Sequence, residues 1–401
     1  MFTNILFLIL INLITTIPRG LDLIMKSFLP HSDITKILQT PFSTRSTIGQ
    51  ANIIIVGCGG AGNNTVDRLM KIGIRGAWCL AINTDLQHLK TINAHKKLLI
   101  GENTTRGLGA GGRPDVGLKA AEESREEIEN FIRDGDLIFI TCGMGGGTGT
   151  GSAPVVAEIA KNSGAIVVGV VTLPFDGEMG RVQKAKEGIK VLRNYVDTLV
   201  MIDNNRLLKI AADLPITEAF SLADEVLATM VKGITETISL PSLINLDYAD
   251  VRSILTSGGV AIVGIGEGED PERRVEEAIE DAITSPLLDF DISGAKGALI
   301  HVTGGNDLKL IETTKVADLI TEQMDPKARV IWGARVDPNM NGAIRIMLLI
   351  TGVKSDQMLG NSANRFLKNN FSKNPSFPSL EDEFFNINEI RSINEENLNL
   401  F

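Results

Sequence analysis

Residues 143 to 151 read Gly-Met-Gly-Gly-Gly-Thr-Gly-Thr-Gly, between an apolar run at Ile138-Phe139-Ile140 and a helical pattern from Ala153 to Lys161. Few folds have a place for such a run. Glycine at this density permits positive φ and removes every Cβ that would stand between backbone N–H groups and a ligand. A strand, a Gly-rich turn and a helix start form an anion cradle, because the first-turn amides lack partners and the helix dipole favours negative charge there. A flexible Gly/Thr linker is the alternative, and it fits poorly because linkers are not wedged between a strand and a helix. The run therefore predicts phosphate binding.

With 401 residues the chain is long enough for two domains with full cores. Its 43% apolar content, 40 glycines and alternating apolar runs predict a soluble α/β protein. The net charge of −10 argues against non-specific nucleic-acid binding. Cys58, Cys79 and Cys142 lie in or beside expected strands without metal-ligand spacing, and read as small buried thiols of a reducing compartment. His31, His88, His95 and His301 are scattered, which supports neither a zinc site nor a histidine-based triad.

From Asn52 onward strands and helices alternate. Asn52 to Val56, Ala77 to Asn83, Asp136 to Thr141, Ala165 to Leu173 and Thr198 to Ile202 read as strands, with helices over Gly60 to Lys71 and Pro114 to Arg133. That alternation predicts a parallel, doubly wound sheet covered on both faces. Thr217 to Ser239 reads as one long helix, capped by Thr217 and closed by Pro241. Its Ala219, Ala223, Val226, Met230, Ile234 and Ile238 fall at three- and four-residue spacing. Beyond it Gly259 to Ile265, Ala298 to Thr303, Arg329 to Val336 and Ala343 to Gly352 are expected strands, and Glu272 to Thr284 and Leu308 to Met324 expected helices. The expected organisation is an N-terminal extension at 1–49, a nucleotide-binding domain at 50–216, a spine helix at 217–240, a smaller α/β domain at 241–353 and a disordered tail at 354–401.

Phe2 to Ile17 is almost wholly apolar, but no basic residue precedes it as in a signal peptide. The expectation is that translation starts at Met25 instead, with a membrane anchor as the alternative; an intact mass that retains Phe2 would overturn the later start. The tail is rich in asparagine and serine. Within it Leu380 to Ile390 clusters acidic and apolar residues, either as a docking peptide or by accident of composition.

Two further loops are Gly-rich. Gly57-Cys58-Gly59-Gly60-Ala61-Gly62-Asn63-Asn64 holds the G-x-G-x-x-G spacing, and Gly107 to Pro114 again precedes a helix. The first loop alone fits a dinucleotide site, with Asp85 as the ribose-binding acid of a nicotinamide oxidoreductase. One pyrophosphate does not need two glycine cradles, whereas a triphosphate can use them. Three such turns at strand carboxyl ends converge on one ligand. No G-x-x-x-x-G-K-[ST] loop is present, so backbone amides, helix dipoles and a metal ion must meet the phosphate charge. Magnesium is the expected metal, held mainly through phosphate oxygens and water.

Gly57 to Asn64, Asn83-Thr84-Asp85, Gly107 to Pro114 and Gly145-Gly146-Gly147-Thr148-Gly149-Thr150-Gly151 occur in that order. Together they resemble the FtsZ family of prokaryotic, tubulin-like cell-division GTPases, over residues 50–353. The Gly-Ala-Gly-Asn-Asn form of the first loop is similar to archaeal members. The resemblance implies a tubulin-like α/β fold, with a Rossmann-like GTPase domain, a long central helix and a smaller α/β C-terminal domain. It implies that Gly59, Gly60, Ala61, Gly62, Asn63 and Asn64, with Ala110 and Gly111, and Gly146, Gly147, Thr148 and Gly149, surround the phosphates of GTP. Glu178 and Arg181 match a ribose-contacting pair, separated here by two residues where the family usually has three, and Asn204 matches a base- or sugar-contacting position. Phe220 would stack on guanine, and Asp224 would accept from its N1–H and amino group, a donor pair adenine lacks. Read from the local pattern alone, Asp224 is a solvated helix acid and Phe220 a core residue.

Asn245-Leu246-Asp247-Tyr248-Ala249-Asp250-Val251 matches the family's synergy loop. Asp247 and Asp250, at i and i+3, share one face of a helix start, and locally Asp247 reads as an N-cap. The resemblance implies that Asn245, Asp247 and Asp250 are catalytic and reach the GTP of the next subunit, so that the chain polymerises head to tail with itself. It further implies a cytoplasmic protein at the division ring on the inner face of the membrane. Membrane contact would be indirect, through SepF-like or FtsA-like adaptors bound by the tail, and no nucleic acid is expected as a partner. A tubulin-like polymer for cell shape and a nicotinamide oxidoreductase are the competing readings.

Overall fold

Alternate residues of one strand enter two different cores. In Ile53–Cys58 (β1), Ile53 and Ile55 pack with Cys79, Phe139 and Val168, whereas Ile54, Val56 and Cys58 pack with Leu80, Ile138 and Ile140. A strand buried on both faces belongs inside a helix-covered parallel sheet, and β1 sits near its middle. The computed structural model describes residues 51–206, 215–239, 244, 246–256, 259–284 and 295–353, with the backbone alone at 216, 217, 219, 220, 223 and 353. The apolar N-terminal segment, the Met25 start, the tail with its 380–390 cluster, Asn245, and the side chains of Thr217 and Phe220 lie outside the described residues.

The first half alternates as expected. β1 leads into Gly59–Lys71 (α1), then Ala77–Asn83 (β2), Leu86–Thr91 (α2), Lys96–Leu99 (β3) and Glu102–Thr105 (α3). Pro114–Glu123 (α4) and Arg125–Ile132 (α5) precede Leu137–Gly143 (β4), Thr148–Asn162 (α6), Ile166–Leu173 (β5), Met179–Leu192 (α7) and Thr198–Asp203 (β6). The helix expected over 114–133 breaks at Ser124, whose φ of −105° and ψ of 23° are not helical. There the serine hydroxyl accepts from the Gly101 amide at 3.2 Å. α6 starts at Thr148, five residues before the expected Ala153, so the last four of the nine residues of the glycine run are helix. The short elements β3, α2 and α3 carry too few apolar residues to show a period and are not expected from the sequence.

Ile216–Ser239 (α8) is the long spine, and Tyr248–Leu255 (α9) follows it. Gly259–Gly268 (β7), Arg274–Thr284 (α10), Gly297–Gly304 (β8), Leu310–Thr321 (α11), Arg329–Val336 (β9) and Ile344–Val353 (β10) form the second half. All ten strands join one sheet in the order β3-β2-β1-β4-β5-β6-β7-β10-β8-β9. β1 to β6 are parallel, β6 meets β7 over three residue pairs, and β10 runs antiparallel to both β7 and β8. Leu227, Met230, Val231 and Ile234 of α8 share one core with Val200 and Ile202 of the first half and Ala261, Leu299 and Met347 of the second. The spine thus packs on both halves at once. At 24 residues it is about 36 Å long. Near its start Asp224 meets Thr65 of α1, and at its end Ser239 donates to the Gly76 carbonyl at 3.1 Å, just before β2.

Candidate nucleotide site

β1 has β2 on one side and β4 on the other, so the strand order reverses between β1 and β4. Such a switch point opens a crevice at the strand carboxyl ends, and the first and third glycine loops leave from that edge. The glycines there divide into two kinds. A Cβ on Gly59 would lie 2.7 Å from the Gly149 amide nitrogen, and one on Gly147 would lie 2.7 Å from that of Arg113. On Gly62 it would meet the Thr141 carbonyl oxygen at 2.1 Å, and on Gly151 that of Pro114 at 2.1 Å. These positions let three backbones interleave. Gly60, Gly111, Gly112 and Gly146, by contrast, have nothing within 4 Å of where a Cβ would stand. Gly111 and Gly112 also hold φ of +59° and +71°, which L side chains rarely adopt. Each of the three loops therefore turns bare backbone onto open space.

Side-chain and backbone hydrogen bonds lock the loops together. The hydroxyls of Thr84, after β2, and Thr148, at the start of α6, lie 2.6 Å apart. The Gly109 amide donates to the Thr84 carbonyl at 3.0 Å, and Lys184 of α7 donates its Nζ to the Gly112 carbonyl at 2.7 Å. Asp85, the ribose acid of the dinucleotide reading, instead caps α2 by accepting from the Gln87 and His88 amides. Gly60, Ala61 and Asn64 are exposed, whereas Asn63 is fully buried and donates to the Ile82 carbonyl at 3.2 Å. Ala110 is buried against Gly147.

The remaining first-half residues border the same edge. Arg181 donates to Glu178 at 2.6 Å at the start of α7, and a Cβ on Gly145 would meet the Arg181 carbonyl oxygen at 2.5 Å. Asn204 follows β6 and is buried, and its Oδ1 accepts no hydrogen bond among the described residues. Asp224 accepts from the Thr65 hydroxyl at 3.4 Å. Burial pushes its carboxyl up to about 6, against the lowering pull of Thr65 and Arg68. Thr65, His88 and Lys184 join the site without having been expected there from the sequence. Only His88, three residues after a capping aspartate, had a local signal.

Asp247 and Asp250 are elsewhere. Asp247 caps α9 by accepting from the Ala249 amide at 3.2 Å, and both acids are exposed. The carbonyl of Leu255, at the end of α9, accepts from the hydroxyl of Thr198, the first residue of β6. Ile254 lies against Gly297, the first residue of β8. α9 therefore sits under the amino ends of the strands, and the glycine loops sit over their carboxyl ends. The seven residues of β4 put about 20 Å between those two ends.

The family model described as Tubulin/FtsZ family, GTPase domain, matches residues 52–212, and that described as FtsZ family, C-terminal domain, matches residues 259–354. The chain is 55% identical over 339 residues to Cell division protein FtsZ 2 of Methanocaldococcus jannaschii, covering 84% of this chain and 88% of that one. A solved FtsZ dimer from M. jannaschii superposes with a TM-score of 0.74 at 51% identity, over 82% of this chain and 94% of that one. CetZ1 from Haloferax volcanii, in a GDP-bound monomer structure, matches with a TM-score of 0.67 at 24% identity, over 76% and 94% of the two chains, and shares the fold. With both domain models matched in order and more than half of the aligned residues identical, the chain belongs to the FtsZ cell-division family and carries its tubulin-like GTPase domain.

Proposed function

We propose that the chain binds GTP on the glycine-lined edge and hydrolyses it only where a second copy stacks head to tail upon it. The observation that carries this reading is the placement of Asp247 and Asp250 at the opposite end of the sheet from the glycine loops, about 20 Å away along β4. No side chain spans that gap. A heterologous contact that sets the amino end of one subunit on the carboxyl end of the next brings acids and nucleotide together, and it repeats into a filament. A relative solved as a dimer supports self-association.

The open space beside Gly60, Gly111, Gly112 and Gly146 fits phosphate oxygens, and the α6 amino end adds its dipole. Thr148, with Gly59, Ala61, Gly62, Asn63, Asn64, Ala110, Gly147 and Gly149, shapes that cradle, with Asn63 acting from within the core. Glu178 and Arg181 would hold the ribose, and Asn204 the sugar or base, its unpaired Oδ1 awaiting a donor. Asp224 would select guanine and Phe220 would stack on it. Magnesium, bound through phosphate oxygens and water, would offset the charge that develops on the terminal phosphate. Asn245, Asp247 and Asp250 of the neighbouring copy would orient and polarise the attacking water. Loss of the terminal phosphate would then weaken the contact.

The reading divides the chain into a GTP-binding domain at 50–216, the central helix at 217–240 and a second α/β domain at 241–353. No helix among the described residues is long and apolar enough to cross a membrane. Attachment at the division ring, on the inner face of the cell membrane, is assigned to SepF-like or FtsA-like adaptors bound by the tail segment Leu380 to Ile390. The test is sedimentation of the protein with GTP and with GDP, beside Asp250→Ala. GTP-dependent pelleting, retained by the variant without phosphate release, supports the proposal; a parent that hydrolyses GTP at full rate without ever forming a sedimentable polymer contradicts it.

A further inference from the structure

We propose that His88 is a positioning residue that dictates which end of the Asn64 side chain faces the nucleotide, and thereby sets nucleotide affinity. The proposal rests on the glycine-lined edge being the nucleotide site. Its basis is a chain of hydrogen bonds whose direction is fixed at one end by the main chain. Asn83 Oδ1 accepts from the backbone amides of Thr84 at 2.9 Å and Asp85 at 3.3 Å. A backbone amide can only donate, so this end of Asn83 must be its oxygen, and its Nδ2 is the atom 3.2 Å from His88 Nδ1. Nδ1 must then accept, which places the single ring hydrogen of neutral His88 on Nε2. That N–H meets Asn64 Oδ1 at 3.1 Å.

The consequence falls on Asn64, which is exposed beside Gly60 and Ala61 in the first glycine loop. With its oxygen held by His88, what the side chain offers outward is its two amide N–H donors. A donor suits an anionic phosphate, whereas a carbonyl oxygen in the same place repels it. An unrestrained amide turns either way about its last bond at little cost. His88 thus converts a two-faced side chain into a fixed donor, and it does so from outside the loop, on α2. Glutamine has the same capacity, because its amide both donates and accepts. Leucine has neither.

The experiment measures GDP affinity, and KM and kcat for GTP, in the full chain and in His88→Leu, His88→Gln, Asn64→Ala and the double variant Asn64→Ala/His88→Leu, with melting temperatures as the check on folding. His88→Leu is expected to weaken GDP binding about three- to tenfold, the loss of one net hydrogen bond, and to raise KM more than it lowers kcat. His88→Gln should restore affinity to within about twofold of the parent, and His88→Leu should add nothing once Asn64 is alanine. The last comparison is made within the exposed Asn64→Ala background, so a general loosening of α2 would show there as a further loss. Parent-like affinity in His88→Leu, failure of His88→Gln to recover it, or additive losses in the double variant overturns the proposal while leaving the site in place. A parent that binds no guanine nucleotide overturns both.

Discussion

Tyr248 donates its hydroxyl to the carbonyl of Asp136 at 2.9 Å, and this bond fixes where the acidic turn of α9 lies. Asp136 is the residue before β4, whose other end opens into the glycine run. Asp250, two residues after Tyr248, is therefore held a full strand length from the glycine loops of its own chain. Asp250→Ala should keep parent-like GTP affinity and lose turnover by about a hundredfold or more, the usual weight of a positioned acid–base group. Asp250 is the cleaner probe, since Asp247 also caps the helix and its removal costs about 1 kcal/mol of stability. Equilibrium binding and phosphate release on one preparation check both halves, and parent-like turnover refutes the role.

The glycine loops separate folding from binding. Gly62→Ala and Gly151→Ala each drive a methyl to 2.1 Å from a backbone carbonyl oxygen, and should destabilise the fold by about 1–3 kcal/mol. Gly146→Ala meets nothing within 4 Å and should melt with the parent, yet weaken nucleotide binding roughly tenfold or more by intruding on the ligand. Thermal melts beside GDP titrations distinguish the two classes; equal effects on both measurements would undo the assignment.

Asp224 gives a pH signature. Burial raises its folded-state carboxyl to about 6 from an ordinary 3.8, so the folded protein holds this proton more tightly than the unfolded chain. Its contribution to stability is present below about pH 4 and is lost as pH rises through 6, a change of up to about 3 kcal/mol. Asp224→Asn should therefore melt higher than the parent at pH 8. On the proposed reading, in which the carboxylate accepts from both guanine donors, it should also bind GTP more weakly. In the parent, GTP affinity should fall as pH drops through 6, and in Asp224→Asn that slope should disappear.

His301 titrates with the opposite sign. It lies between the hydroxyls of Thr237 on α8, 2.6 Å from Nδ1, and Thr303 on β8, 3.0 Å from Nε2. Burial, reinforced by the Arg335 guanidinium that pairs with Glu236, lowers its pKa from 6.5 to about 4. The neutral ring contributes stability that is fully present above pH 6.5 and is lost as pH falls toward 4, up to about 3 kcal/mol. Urea unfolding midpoints at pH 7.5 and 5 should diverge more for the parent than for His301→Gln. Equal shifts would mean that His301 does not carry the acid sensitivity.

The strands were legible because β1, β4 and β5 are runs of β-branched residues buried on both faces, a pattern that survives without tertiary context. The glycine run announced a cradle, but its last four residues did not show as helix, since Thr148, Gly149 and Gly151 are poor helix formers held by packing, Thr148 and Gly151 against α4 and Gly149 against the ends of β1 and β4. The site's polar supports were hidden for a different reason. Thr84 with Thr148, Lys184 with the Gly112 carbonyl, and His88 with Asn64 join residues 64, 72 and 24 positions apart, and no local period records such pairings. Asp85 was ambiguous in sequence, and only its bonds to the amides of α2 separate a cap from a ribose ligand.

The most direct test mixes two defective proteins. Asp250→Ala keeps an intact nucleotide pocket, and Asp224→Ala keeps intact acids on α9 while its pocket is impaired at limiting GTP. If each active site is shared between neighbours, the mixture should release phosphate at a rate well above the sum of the two alone, because some junctions pair a sound pocket with sound acids. A mixture that turns over GTP only at the summed rates of its components would show that one chain holds all the chemistry.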